Sequence, residues 1–134
     1  MYMLDTDTCI YILKKKPQHV YEKFEQVTLT RLAISVITYF ELAFGVECST
    51  QKASNLLKLK QLTDLIKVEP LTLKSADDYA FIRALLRSSG QMIGKNDLLI
   101  AAHAKSLNYT LITNNTKEFQ RVPHLKIENW VRED

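Results

Sequence analysis

The sequence contains little glycine, proline or cysteine. Its 134 residues include three glycines, three prolines and two cysteines, which argues against collagen-like repeats, low-complexity linkers and a disulfide-stabilised scaffold. So few loop-forming residues favour a helix-rich fold with short connections. A chain of this length can bury a core without disulfides or structural metal. We therefore expect a single domain over residues 1–134.

Long apolar runs are also missing. The longest, residues 32–46, spans 15 residues and contains Glu41, so it is too short to cross a membrane. The first residues lack the basic segment and cleavage site of a signal peptide. Cys9 and Cys48 belong to no CxxC pair, which indicates buried free thiols in a reducing compartment. We expect a cytoplasmic protein with no membrane partner.

Short apolar segments alternate with segments of helical periodicity. Strands are predicted at residues 2–4, 32–35, 67–70, 110–113 and 126–128, and helices at residues 6–14, 19–25, 35–48, 54–66, 75–89 and 97–107. Thr6 or Asp7 is expected to cap the first helix, and Ser75 the fifth. This alternation is typical of a parallel sheet covered by helices on both faces.

Three carboxylates lie in apolar surroundings. Asp5 follows the first predicted strand, Glu41 is the only charge in residues 32–46, and Asp97 precedes an apolar helix. Asp5 and Asp97 could instead cap helices, and Glu41 could lie at an exposed helix edge. However, all three are expected at the carboxyl edge of the sheet, where α/β proteins bind ligands. Buried acids are normally paired or bound to a metal.

A cluster of carboxylates without His or Cys partners suits Mg²⁺ or Mn²⁺. In phosphodiester hydrolysis such an ion lowers the pKa of a water and stabilises the leaving oxygen. The net charge of +3 permits a nucleic-acid partner without arguing for one. If Asp5, Asp7, Glu41 and Asp97 gather at one site, 11 acidic residues remain against 18 basic ones. The rest of the surface then carries about +7, which favours RNA binding.

Four motifs, in order along the chain, resemble the VapC-type PIN-domain ribonucleases. They are Met3-Leu4-Asp5-Thr6, Ser35-Val36-Ile37-Thr38-x-x-Glu41-Leu42 with Gly45 following, Ile93-Gly94-x-Asn96-Asp97 continuing to Ala104, and Leu111-Ile112-Thr113-Asn114-Asn115-Thr116-Lys117-Glu118-Phe119. The similarity extends to Trp130 and so covers essentially the whole chain. Each motif alone is weak, whereas four in order are highly specific.

The resemblance implies a three-layer α/β/α fold with a mainly parallel sheet of four to five strands. It also implies a Mg²⁺- or Mn²⁺-dependent endoribonuclease, acting as the toxin of a type II toxin–antitoxin module. The implied partners are a VapB-type antitoxin, which inserts a segment near the active site, and a second copy in a homodimer. Toxins with the Thr-Asn-Asn-Thr pattern of residues 113–116 resemble those that cut the anticodon stem-loop of initiator tRNA, so tRNA is the expected substrate.

Carried over by position, Asp5, Glu41 and Asp97 are the catalytic and metal-binding acids. The fourth acidic position of the family falls at Asn115, and either Asp7 or Glu118 could supply the missing charge. Supporting roles around the site are expected for Thr6, Asp7, Asn96, Thr113, Asn115 and Glu118. Contacts with RNA phosphates are expected for Lys14, Lys15, Arg83 and Lys95, with a solvated helix end or surface ion pairing as the alternative.

Two other functions compete with this interpretation. A receiver-type phosphoacceptor domain also gathers acids around Mg²⁺, but this chain lacks the Asp and Lys where that fold needs them. A non-catalytic PIN relative that binds RNA or antitoxin is favoured by the missing fourth acid.

His103, six residues after Asp97, faces away from it around a helix, so we interpret it as structural.

Overall fold

A computed structural model describes residues 1–132 of the chain. The strands are β1 (Tyr2–Leu4), β2 (Leu32–Ser35), β3 (Lys67–Glu69), β4 (Thr110–Ile112) and β5 (Ile127–Glu128). The helices are α1 (Thr6–Lys14), α2 (Gln18–Gln26), α3 (Val36–Glu47), α4 (Lys52–Leu65), α5 (Leu73–Ser88), α6 (Lys95–Ser106) and α7 (Thr116–Phe119). Glu133 and Asp134, which the predicted domain includes, lie outside the described residues.

The five strands form one parallel sheet in the order β3-β2-β1-β4-β5. The chain builds outward from β1 to β3, then returns to add β4 on the other side of β1. The strand order therefore reverses between β1 and β4, which is the point where open α/β sheets bind ligands. The predicted parallel α/β fold is confirmed.

Helices cover both faces of the sheet, which explains why its central strands are apolar throughout. Leu4 and Ile112 belong to a core formed with α1 to α4, whereas Met3 and Leu111 belong to a core formed with α5 and α6. Successive strand residues point to opposite faces. The resulting three layers hold the loops after β1 and β4 at one edge.

Helix starts differ from the predicted ones because caps depend on geometry that periodicity does not reveal. The N-cap of α1 is Asp5, not Thr6 or Asp7. Thr72 and Ser75 form a reciprocal capping box, so α5 begins at Leu73, earlier than predicted. Gly94 precedes α6, which places Asp97 in the first turn of that helix and not at its cap. Ser35 caps α3, which begins at Val36, close to the predicted start at residue 35.

The two cysteines lie in different surroundings. Cys9 is buried but Cys48 is exposed, so the prediction that both thiols are buried is wrong for Cys48, which follows the last turn of α3. Phe119 and Trp130 are buried in the core. Among residues 1–132, no helix has the length and apolarity needed to cross a membrane.

Candidate functional site

Asp5 lies directly after β1 and is 4 % exposed. Its carboxylate accepts a hydrogen bond from the Thr8 amide at 2.8 Å and another from the side chain of Thr113, which follows β4. Burial raises the pKa of Asp5, and these hydrogen bonds offset part of the rise. The capping role is therefore real, but it leaves a buried carboxylate at the edge where β1 meets β4.

Glu41 lies on α3, where the Thr6 hydroxyl donates a hydrogen bond of 2.6 Å to its Oε1. Thr6 Oγ1 is also 3.3 Å from the hydroxyl of Thr38, which is fully buried. Since Thr6 is the residue after Asp5, this bond connects the loop at the end of β1 to α3. Thr38 therefore contacts the hydroxyl that orients Glu41, a role that its position in the sequence did not reveal.

Asp97 and Glu118 bring two carboxyl groups into contact. Burial raises the pKa of Asp97 to about 7, and the charge of Glu118, a hydrogen bond to it, and the charges of Asp5 and Glu41 add to the rise. The proton that remains on Asp97 can be donated to Glu118. Asp97 thus lies within the electrostatic influence of all three other acids.

Glu118 is held by groups that favour its ionised form. Burial alone would raise its pKa, but the Gly94 amide, the Asn115 and Asp97 side chains and the charge of Arg121 together lower it. The Gly94 N–H donates to Oε1 of Glu118 at 2.8 Å, and the side-chain amide of Asn115 donates to Oε2. The start of α6 and the short helix α7 therefore meet around this carboxylate.

These acids fit a hard divalent cation by the chemistry of their donors. All four offer only carboxylate oxygens, the ligands that Mg²⁺ and Mn²⁺ prefer. Neither ion pair found among residues 1–132 involves them, so the contact between Asp97 and Glu118 is not balanced by a bound Lys or Arg. As placed, however, no three His, Cys, Asp or Glu side chains in residues 1–132 stand close enough to hold a metal.

The remaining predicted residues lie in different surroundings. Thr113 is buried, and its hydroxyl accepts a hydrogen bond from the backbone N–H of Asn115 at 3.0 Å. Asp7 is exposed, and its charge adds to the rise in the pKa of Asp5. Asn96 and Lys95 are exposed in the first turn of α6. Among residues 1–132, no side-chain hydrogen bond connects Asn96 to another site residue.

The basic residues predicted to contact RNA have different neighbours. Lys14 lines a groove that also contains Glu41. The Lys15 ammonium lies 5.2 Å from the centre of the Tyr21 ring. Arg83 is exposed on α5 and donates to the Tyr79 hydroxyl at 2.8 Å, and neither ion pair found among residues 1–132 involves it.

The groove beside Glu41 has a volume of about 350 Å³ and lies between α1, α3 and α4. Ile10, Leu13, Leu42 and Val46 give it an apolar floor, and Lys14 and Lys58 contribute positive charge. Gly45 lies one helical turn after Glu41, and a Cβ added there would meet nothing within 4 Å. Glycine inside a helix is destabilising, and the open space at Gly45 leaves room for a larger side chain in the groove.

The family model for the PIN domain matches residues 2–125 of this chain. The chain belongs to the PIN-domain family. It is 41% identical to ribonuclease VapC2 of Rickettsia felis, over 97% of this chain and 98% of that one. It is 39% identical to the tRNA(fMet)-specific endonuclease VapC of Salmonella typhimurium, over 96% and 97% of the two chains.

Solved structures agree with this assignment. A chain in the crystal structure of VapBC2 from Rickettsia felis, bound to a DNA fragment from its promoter, superposes with a TM-score of 0.90. The two chains are 40% identical, over 97% of this chain and 98% of that one. This PIN domain therefore groups with the VapC ribonucleases, as its four motifs predicted, and the receiver-type alternative is wrong.

Proposed function

We propose that this PIN domain is a divalent-metal-dependent endoribonuclease and the toxin of a toxin–antitoxin pair. The observation that carries the proposal is the contact between Asp97 and Glu118 at the edge where Asp5 and Glu41 also lie. Two carboxylates held together are costly unless a proton or a cation joins them, and the charge of Arg121 offsets only part of this cost at Glu118. The nuclease names of relatives aligned along nearly the whole chain support the same activity.

Asp5, Glu41, Asp97 and Glu118 would hold Mg²⁺ or Mn²⁺. Such an ion would supply a Lewis acid and a water of lowered pKa for attack on the scissile phosphate. Thr6 orients Glu41, Thr113 and the Thr8 amide orient Asp5, and Asn115 with the Gly94 amide orients Glu118. These hydrogen bonds fix the acceptor oxygens before substrate binds.

Glu118 takes the place of the missing fourth acid in this proposal. Asn115 directs its amide toward Glu118 and so supports that carboxylate without supplying a charge of its own. Asp7 is exposed and acts on Asp5 only through its charge. The non-catalytic alternative depended on the absence of a fourth acid, and Glu118 removes its main support.

We further propose that the substrate is a tRNA, with initiator tRNA as the first candidate, because the Salmonella relative is named for that substrate. Lys14, Lys15, Arg83 and Lys95 stay candidates for contacts with RNA phosphates, whose attraction to basic side chains depends on salt. The groove lined by Lys14 and Glu41 lets RNA approach the site from α1 and α3.

The proposed protein partner is a VapB-type antitoxin, because a similar chain is found in a VapBC complex on promoter DNA. A segment of the antitoxin lying in the groove between α1, α3 and α4 would cover Glu41 and block the substrate. A homodimer, assembled with antitoxin into a larger complex, is also part of the proposal. Sedimentation of the toxin alone and with antitoxin would test both assemblies.

The activity is tested by incubating the purified protein with total tRNA, in Mg²⁺, in Mn²⁺ and in EDTA. Asp97→Asn is the site variant, and Asp64→Asn, an exposed acid on α4, is the matched control. We expect cleavage by wild type and control only with metal, and none by Asp97→Asn. Cleavage that persists in EDTA or in Asp97→Asn would refute the proposal.

A further inference from the structure

A buried histidine connects the two helices that carry proposed metal ligands. His103 lies on α6 and is 0% exposed. Its Nδ1 is 2.7 Å from the Ser35 hydroxyl, and its Nε2 is 3.1 Å from the Pro70 carbonyl oxygen. Ser35 ends β2 and caps α3, and Pro70 follows β3, so one ring joins three separate parts of the chain.

The hydrogen-bond partners fix the tautomer of this ring. The Pro70 carbonyl can only accept, so Nε2 carries the proton and donates it. Nδ1 is then an acceptor, and the Ser35 hydroxyl must donate to it. A lone pair of Ser35 Oγ remains to accept the Ile37 amide at 3.1 Å, which is the cap of α3. Burial lowers the pKa of His103, which keeps the ring neutral.

This tautomer determines the orientation of the Ser35 hydroxyl. With its proton held by Nδ1, Ser35 turns its lone pair toward the first turn of α3. Ser35 lies six residues before Glu41, and His103 lies six residues after Asp97. Six residues of helix span about 9 Å and behave as a rigid unit. A shift at the bond between His103 and Ser35 would therefore be transmitted to both carboxylates.

We propose that His103 is a positioning residue that sets the separation of Glu41 and Asp97 by clamping the cap of α3 to α6. The inference rests on the proposed function, since it assigns the clamp to the same metal site. Simple core packing would be served equally well by an apolar side chain of similar size. The ring instead completes a network of hydrogen bonds that runs from the Ile37 amide through Ser35 to the Pro70 carbonyl. Each buried donor in this network has an acceptor, and such a network favours a single arrangement of the groups that it joins.

Two substitutions separate the two hydrogen bonds of the ring. In His103→Asn, the side-chain oxygen lies close to the position of Nδ1 and can still accept from Ser35, while the bond to Pro70 is lost. In His103→Gln, the amide nitrogen can still reach Pro70, while Ser35 loses its acceptor. Each variant loses one buried hydrogen bond, so the two are matched in their expected loss of stability. Ser106→Ala removes a buried hydroxyl of α6 that donates to the His103 carbonyl oxygen at 2.7 Å, and it is the control for damage to this helix that leaves the two hydrogen bonds of the ring in place.

The first readout is the affinity for Mn²⁺ alone, measured by calorimetry. We expect His103→Gln to weaken Mn²⁺ binding about tenfold, His103→Asn to weaken it at most about threefold, and Ser106→Ala to leave it unchanged. In tRNA cleavage, the Gln variant should require more Mn²⁺ while its KM for tRNA stays unchanged. Equal affinities in the two His103 variants would overturn the clamp and leave His103 a packing residue.

The second readout is amide hydrogen exchange at Ile37, which reports the cap directly and needs no metal. We expect faster exchange in His103→Gln than in His103→Asn or Ser106→Ala. If wild type neither binds Mn²⁺ nor cleaves RNA, the proposed function fails, and faster exchange in the Gln variant would still support a clamp on the cap. If wild type cleaves RNA but exchange at Ile37 is the same in both His103 variants, the clamp fails alone.

Discussion

The carboxyl groups of Asp97 and Glu118 share a hydrogen bond although they lie on different helices. Asp97 lies in the first turn of α6 and Glu118 on α7. The Gly94 amide contacts Glu118 from the start of α6, so one short loop supports both acids. Two acids in contact favour a divalent cation, and without one they favour a shared proton.

Removing the charge of Asp97 should stabilise the metal-free protein at high pH. The raised pKa of Asp97 means that the folded state disfavours its ionised form, so stability is lost as pH rises from about 4 toward 7. In EDTA at pH 8, Asp97→Asn should raise the free energy of unfolding by about 1 kcal/mol, a value reduced by solvent screening at this partly exposed group. Chemical denaturation measures the change.

The same comparison at lower pH supplies the control. The advantage of Asp97→Asn over wild type should shrink steadily between pH 7 and pH 4, since wild-type Asp97 becomes protonated over that range. Asp64→Asn should show no such trend. An advantage that is independent of pH would mean that repulsion between the acids does not destabilise the folded protein.

His103 should make the protein less stable in mild acid. Its pKa is lowered by burial, so below pH 6.5, the ordinary value, the unfolded chain binds a proton that the folded chain resists. The free energy of unfolding should therefore fall as pH drops below that value. Glu69, whose charge acts to raise this pKa, faces the ring from β3 and moderates the effect.

Thermal or denaturant unfolding from pH 8 to pH 5 measures this loss. His103→Asn should remove the histidine-dependent part of the slope, while His124→Asn should keep it, because His124 is exposed and Asn tolerates its positive φ of 61°. Identical slopes in wild type and His103→Asn would show that His103 does not resist protonation.

The Thr6 hydroxyl should be needed for full activity. It donates to Glu41 at 2.6 Å, and a carboxylate that loses such a partner is less well oriented toward a metal. Thr6→Val should reduce metal-dependent cleavage about tenfold without unfolding the protein, and Thr6→Ser should restore it. Thr63→Val, which removes a hydroxyl of α4 far from the acids, is the control. No difference between Val and Ser at position 6 would contradict the role.

A larger side chain at Gly45 should close the groove beside Glu41. The added atoms meet nothing within 4 Å at Cβ, so Gly45→Ala should increase helix stability by up to about 1 kcal/mol. Gly45→Leu should fill part of the groove and weaken binding of the antitoxin by about tenfold or more. Calorimetry with the co-purified antitoxin measures the change, and undiminished binding by Gly45→Leu would place the antitoxin elsewhere.

Periodicity and strand chemistry were enough to predict the sheet and its three layers, because both are properties of local sequence. The apolar strands that begin at Tyr2, Leu32 and Thr110 could be recognised because each is a short apolar run next to a segment of helical periodicity. Asp5 was expected at the carboxyl edge, with a helix cap as the alternative to a site role, yet the structure gives it both positions at once. A cap depends on backbone dihedrals, which residue type alone does not fix.

Contacts between distant parts of the chain could not be predicted. Nothing local in the sequence around Glu118 indicates that it meets Gly94 and Asp97, since that contact depends on how α7 packs against α6. His103 was interpreted as structural and as facing away from Asp97, but its bond to Ser35 joins residues that only the fold brings together. The Thr38 contact and the groove at Gly45 were missed for the same reason.

We propose that the acids around Asp97 hold a divalent metal that the protein needs to cleave tRNA. The most direct measurement adds Mn²⁺ back in steps to EDTA-treated protein and follows binding and cleavage of initiator tRNA in the same samples. We expect cleavage to rise in parallel with occupancy in wild type, and Asp97→Asn to show neither tight binding nor cleavage. Cleavage that is complete before any Mn²⁺ is bound, or that persists in Asp97→Asn, would contradict it.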